Sequence, residues 1–268
     1  MSLRINTNVE AFNAHRNLNG TSDKIAKSME RLSSGLRINR ASDDAAGLAI
    51  SEKMRGQIGG LDQAKRNAQD GVSLVQTAEG ALTEVHSILQ RVRTLAVQYQ
   101  NGTVGADDKA AIDAEVSQLT TELGAIGTRA DFNGTKLLDG STATVTFQVG
   151  ANDDETTTVA LVSLATELGT VSGATTLSGV SLASIDTAIK NVSQVRADFG
   201  AVQNRLEHTL NSLSVTQENL TASESRIRDV DMASEMVSLT KNQILSQAGT
   251  AILSQANQAS QGVLSLLR

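Results

Sequence analysis

Proline, cysteine and tryptophan are all missing from this chain of 268 residues, and aromatic side chains make up only 2% of it: Tyr99 with Phe12, Phe132, Phe147 and Phe199. The absence of cysteine excludes disulfide staples, thiolate metal sites and thiol nucleophiles. The absence of proline removes slow X-Pro isomerisation from folding and leaves no ring to break a helix. So few aromatics provide no stacking platform for single-stranded nucleic acid, and a net charge of −6 argues against a phosphate-backbone binder. No run of about 18 apolar residues exists, so no membrane span is expected. The N-terminal MSLRINTNVEAFNAHRN has neither a continuous apolar stretch nor a small-residue cleavage site, so a cleaved secretory signal is not expected, which leaves open an export route that reads none.

Chemistry is equally scarce. His15, His86 and His208 are scattered, with no HxH or HxxxH pair to hold a metal. Asp43-Asp44 and Asp153-Asp154 are adjacent carboxylates, which point apart on a helix or strand and suit caps and turns better than acid–base pairs. Gly59-Gly60 lies inside a helical pattern and is no nucleotide-binding fingerprint, and no other catalytic motif is present. The expectation is a non-enzyme without cofactors or metals, and with neither nucleic acid nor membrane as partner.

What is abundant is helical periodicity. From Met54 an apolar series runs through Ile58, Leu61, Ala64, Ala68, Val72, Val75, Ala78, Leu82, Val85, Leu89, Val92, Ala96 and Tyr99 in steps of three or four. In the C-terminal half, Ile185, Val192, Phe199, Leu206, Leu213, Leu220 and Ile227 recur every seven residues, the seam of coiled-coil packing. Each pattern predicts a helix about 70 Å long. A compact globule of this length is only about 48 Å across. The expectation is therefore an elongated rod. A shorter helix capped by Asp107 or Asp108, with Ile112, Val116, Leu119, Leu123 and Ile126 as its stripe, should fold back after the Asn101-Gly102 turn.

The middle of the chain changes period. Val145, Phe147 and Val149 alternate with polar residues, Asn152-Asp153-Asp154 interrupts, and Val159 and Leu161 follow, which predicts a β-hairpin within about 141–162. A Gly/Ser/Thr-rich loop over about 163–180 leads into the last long helix. At the ends, Leu18, Ile25, Met29, Leu32 and Leu36 form one amphipathic stripe, and Val237, Ile244, Ala248, Ile252, Ala256, Ala259, Val263 and Leu266 another. Two such helices paired alone bury too little to offset their ordering entropy, so the ends are expected to order in an assembly. The fold class is mainly α: long antiparallel helices with a small β-hairpin, plus a two-helix coiled coil formed by the chain ends.

Several stretches, in order and reaching both ends, carry a family resemblance: INTNVEAFNAHRNL, LSSGLRINRASDDAAGLAI, RNAQDGVSLVQTAEGALTEV, LQRVRTLAVQYQNGT, FNGTKLL, GAVQNRL, NLTASESRIRDVDMASEMVSLTKNQIL and QAGTAILSQANQASQGVLSLLR. The chain resembles a bacterial flagellin over roughly 1–140 and 182–268, of a minimal type with no variable outer domain. The resemblance implies a secreted, extracellular subunit that polymerises into the flagellar filament for swimming. Residues 1–42 and 229–268 would form the filament-core coiled coil, with Leu18, Ile25, Leu32, Ile244, Ile252, Val263 and Leu266 on its assembly helices. Residues 43–228 would form the rod. Implied partners are further copies of the chain, the flagellar cap and hook-junction proteins, and an export chaperone at the C-terminal helix. Type III export is also implied, as is recognition by vertebrate Toll-like receptor 5 through Arg91, Leu95 and Glu115, a surface that would otherwise pack between subunits. Thr94 departs from the commoner Glu of that stretch. Two other readings stay open at this point: a hook–filament junction protein, which shares similar ends, and a soluble coiled-coil adaptor.

Overall fold

A computed structural model describes the backbone of residues 8–266 and the side chains of 8–258. The elements run α1 (Val9–Ser34), α2 (Ala45–Tyr99), α3 (Ala106–Arg129), β1 (Asp131–Phe132), β2 (Thr135–Lys136), β3 (Thr144–Gln148), β4 (Thr156–Ala160), α4 (Leu164–Leu168), α5 (Leu182–Arg228) and α6 (Met232–Leu266). They divide into two compact units, one of Gln57–Glu218 and one of Met1–Gly56 with Asn219–Arg268.

In the unit of residues 57–218, α2 and α5 run antiparallel. Arg93 meets Asp186 at 2.6 Å, and Lys65 donates to Gln217 at 3.2 Å. The α2 stripe is buried along its length at Leu61, Ala64, Ala68, Val75, Ala78, Leu82, Val85, Leu89 and Val92. From Val75 to Val92 it shares one core with Ile185, Val192 and Phe199 of α5 and Ile112, Val116 and Leu123 of α3, while Ala68 packs with Leu206 and Val149. Helix α3 folds back along α2, with the Lys109 ammonium 5.1 Å from the centre of the Tyr99 ring. Its cap differs from expectation: Gly105 is the N-cap, and Asp108 reaches back to accept the Gly105 N–H at 3.2 Å. With two residues between them, the carboxylate satisfies an amide that the helix itself leaves free.

The β3–β4 hairpin pairs in antiparallel register, with Val145 opposite Val159 and Phe147 opposite Thr157. It sits close to the helices because Gly71 offers no side chain: a Cβ there would stand 3.2 Å from Leu206 and 3.4 Å from the Phe147 ring. A second, smaller hairpin joins β1 to β2 through Asn133 and Gly134, at φ 50° and 81°. That turn type needs left-handed backbone, which Asn-Gly supplies. The sequence reading had no separate element there. The expected open loop over 163–180 is also corrected. It contains α4 and two 3-10 turns (Gly169–Val171, Leu177–Gly179), whose Leu164, Leu168, Val171 and Leu177 are buried. Asp113 holds the segment by accepting the Leu177 N–H at 2.8 Å, and Thr120 donates to the Ala174 carbonyl at 2.7 Å. Its Gly and Ser composition conceals apolar residues too irregularly spaced to show a period.

In the terminal unit, α1 and α6 run antiparallel. Asn8 donates to the Ala256 carbonyl at 2.9 Å, Leu18 lies against Gly249, and Arg31 meets Glu235 at 3.5 Å. Residues shielded on α1 step by three and four through Ala11, Ala14, Leu18, Thr21, Ile25, Ser28 and Leu32. Those on α6 do the same through Leu239, Asn242, Ser246, Gly249, Leu253 and Ala256. This is a heptad seam in which Leu and Ile alternate with small and polar side chains. Gly35 ends α1 in the left-handed region at φ 73°, and its N–H reaches the Arg31 carbonyl at 2.9 Å. The chain then bridges Leu36 to Asp229 in antiparallel fashion, and the Val230 N–H bonds the Gly35 carbonyl at 3.0 Å. Asp44 caps α2 by accepting the Gly47 N–H at 2.9 Å, and Asp231 caps α6 through Ala233 and Ser234.

Candidate assembly surface

Twelve large hydrophobic residues stand exposed among the described residues, and ten of them fall in the terminal unit: Val9, Phe12, Met29 and Ile50, then Met232, Met236, Val237, Ile244, Leu245 and Ile252. Scattered apolar residues need no explanation, but a concentration on one helix pair does. On α6, Met236, Val237, Ile244 and Leu245 line a shallow groove with Thr240 and Lys241. On α1, Val9 and Phe12 edge a more polar hollow with Asn13, His15, Arg16 and Asn19. Ile244 and Ile252 are each 60% exposed. They belong to the more apolar of two stripes on α6, and α1 covers the other.

That partition was not visible in the sequence. The stripe read there, Val237–Ile244–Ala248–Ile252, is the open face, and only Ala256 of the described stripe is buried. The covered seam through Leu239, Asn242 and Leu253 has regular spacing, but its Asn, Ser and Gly members hide it from an apolar count. Leu18, Ile25 and Leu32 of α1 lie half-buried in the seam. Val263 and Leu266 lie outside the residues whose side chains are described. On α5, Ile185, Val192, Phe199, Leu206 and Leu213 are buried, whereas Leu220 and Ile227, in the terminal unit, are half-buried.

Charge pins the segment between α1 and α2. Asp43 accepts the Asn39 and Arg40 N–H groups at 3.2 and 3.1 Å and pairs with Lys27 at 2.6 Å. The Lys27 hydrogen bond first, and then the Arg40 amide, lower its pKa from 3.8 to about 2. Arg228 meets Glu52 at 2.5 Å and lowers the Glu52 pKa, chiefly by that hydrogen bond.

A second surface lies on α2 and α3. Arg91 and Glu115 form an ion pair, with Nη2 2.7 Å and Nε 2.8 Å from the same carboxylate oxygen. Both are solvent-facing. Leu95, one turn beyond Arg91, is only 2% exposed and sits in the core, so the i, i+4 spacing places just one of the two on the exterior. Two of the histidines make local contacts on their own helices, His15 with Asn19 and His86 with Gln90. Among the described residues, no group of three or more His or acidic side chains could hold a metal, and no helix is long and apolar enough to cross a membrane.

Long heptad-bearing helices whose paired ends carry an uncovered apolar face define a class of chain that completes its fold against other copies. The bacterial flagellin N-terminal helical region matches residues 5–143, and the bacterial flagellin C-terminal helical region matches 182–267. The chain is 55% identical to flagellin of Halalkalibacterium halodurans over 98% of its own length and 99% of the relative's. It is 50% identical to flagellin of Bacillus subtilis over 99% and 100%. It is 49% identical to the flagellar filament 33 kDa core protein of Treponema phagedenis over 98% and 99%. The crystal structure of Bacillus cereus flagellin aligns with a TM-score of 0.50 at 33% identity, covering 55% of this chain and 88% of that one. The chain belongs to the bacterial flagellins. It is a structural, non-catalytic subunit that polymerises into the flagellar filament outside the cell. Between the two matched regions lie only β3, β4, α4, the 3-10 turns and their connections, so no large outer domain is inserted.

Proposed function

We propose that the chain polymerises through the open face of its terminal helix pair, with residues 1–42 and 229–268 forming the filament core and 43–228 the surrounding rod. The observation that supports this is the two-stripe pattern of α6: the small and polar stripe is covered by α1, and the more apolar stripe, with Ile244 and Ile252, is left exposed. Burial of that stripe against a neighbouring subunit supplies most of the assembly energy, because apolar area outweighs exposed ion pairs in water. The same C-terminal helix offers its apolar face to an export chaperone before assembly, and exposed subunit ends meet the cap and hook-junction proteins. The Arg91–Glu115 surface packs between subunits in the filament and, on free subunits, is the surface offered to Toll-like receptor 5. Leu95 supports it from beneath.

Electron microscopy of seeded intact chain beside a version lacking 1–42 and 229–268 tests the reading. Long filaments from the intact chain alone are expected, and filaments from the shortened chain would refute it.

A further inference from the structure

Three of the five methionines stand on the exterior of the terminal helix pair. Met29 on α1 is 54% exposed, and Met232 and Met236 on α6 are 49% and 50% exposed. Met54, on α2, is half-buried. The Arg31–Glu235 contact fixes the level of one helix against the other. All three exposed thioethers therefore fall within about two turns of each other along the pair. Met232 and Met236 are one turn apart on one face of α6, and Met236 lines the apolar groove with Val237, Ile244 and Leu245. A thioether adapts well to an irregular apolar partner. It is also the apolar side chain that a mild two-electron oxidant turns polar.

We infer that Met29, Met232 and Met236 form an oxidation site through which peroxide controls the assembly of free subunits. In the step, hydrogen peroxide delivers one oxygen atom to sulfur. The S–O bond forms as the O–O bond breaks, the thioether gives up two electrons to become a sulfoxide, and the peroxide is reduced to water. The sulfoxide oxygen is a hydrogen-bond acceptor, and burying it in an apolar contact without a donor is costly. Oxidised subunits therefore fail to add, while subunits already in a filament are shielded by their neighbours. The inference rests on the open face of α6 being a subunit contact.

The test treats purified full-length subunits with hydrogen peroxide, maps sulfoxides by mass spectrometry and measures elongation from filament seeds. Met29, Met232 and Met236 should oxidise before Met54, and elongation should slow on the order of tenfold as the Met236 thioether in the apolar groove turns polar. Methionine sulfoxide reductase should restore it, and preformed filaments should take up less oxygen at the same residues. M29L/M232L/M236L should elongate after the same treatment. If that triple variant fails to elongate untreated, Met236→Leu alone should retain partial resistance. Normal elongation by subunits oxidised at all three positions overturns the inference, as does equal loss in the Leu variants. An Ile244→Asp variant separates the two ideas. If it elongates normally, the contact reading fails; if it does not, yet oxidised subunits do, only the oxidation site fails.

Discussion

Replacing Ile244 and Ile252 with alanine should leave the subunit folded and weaken the polymer. Each truncation removes three carbons from a side chain that is 60% exposed in the single subunit. A buried methylene contributes about 0.8 kcal/mol, so covering that exposed fraction in a neighbour's contact is worth about 1.4 kcal/mol per residue. That is about a tenfold change in an association constant. The two positions are more than two turns apart on α6, so their effects should nearly add, and the double variant should raise the critical concentration for elongation about a hundredfold. The assay is sedimentation of seeded polymer at graded subunit concentrations, with thermal unfolding by circular dichroism on the free subunit as the control. The unfolding free energy read from the melting curve should change by no more than about 0.5 kcal/mol, because neither side chain is buried in the fold. A critical concentration within twofold of the parent, with helicity intact, would refute the assignment of this face.

Leu206→Ala should act oppositely, destabilising the unit of residues 57–218 by about 2–5 kcal/mol while sparing the terminal seam, since Leu206 is fully buried against Ala68 and Val149; denaturant titration reads this out. Asp43 has a folded pKa near 2 against an ordinary 3.8. Its stabilising contribution is therefore complete above pH 3.8 and lost as pH falls toward 2, and Asp43→Asn should flatten the acid limb of the stability profile. Hydrogen exchange on free subunits should show far weaker protection in α1 and α6 than in α2 beside Leu89, and equal protection would contradict order gained on assembly. Arg91→Ala removes the ion pair to Glu115 and should reduce Toll-like receptor 5 signalling by free subunits, measured in a reporter cell line.

The long helices were legible because their heptads are apolar at nearly every core position, as at Ile185, Val192, Phe199 and Leu206. The β3–β4 hairpin was legible because Val145, Phe147 and Val159 alternate. The compact segment between β4 and α5 was not, since Leu164, Leu168, Val171 and Leu177 follow no fixed period and owe their burial to tertiary packing on α3. Leu18, Ile25 and Leu32 mark the α1 side of the terminal seam, but its α6 side was hidden for a different reason. Partner-facing residues there, such as Asn242 and Ser246, are polar, and a hydropathy stripe points to the more apolar face. That face is the one the chain leaves exposed. Arg91 and Glu115 meet as an ion pair on the exterior, but the depth of Leu95 depends on α3 lying over α2, which spacing alone does not express.

The small and polar members of the α1–α6 seam have a consequence for which sequence changes the chain can absorb. Helix partners that meet through Thr21, Ser28, Asn242, Ser246 and Gly249 are held in one alignment, because sliding would set a polar side chain against Leu18 or Ile25. One residue inserted in α6 between Leu239 and Ile252 would advance everything beyond it by about 1.5 Å and rotate it by about 100°. Ile252 would turn off its face while the seam lost its partner positions. Extra residues in the exposed turn at Asp153 and Asp154 would instead be taken up in solvent. Length is therefore rigidly specified at the chain ends and free at the hairpin tip, the reverse of the usual tolerance of termini.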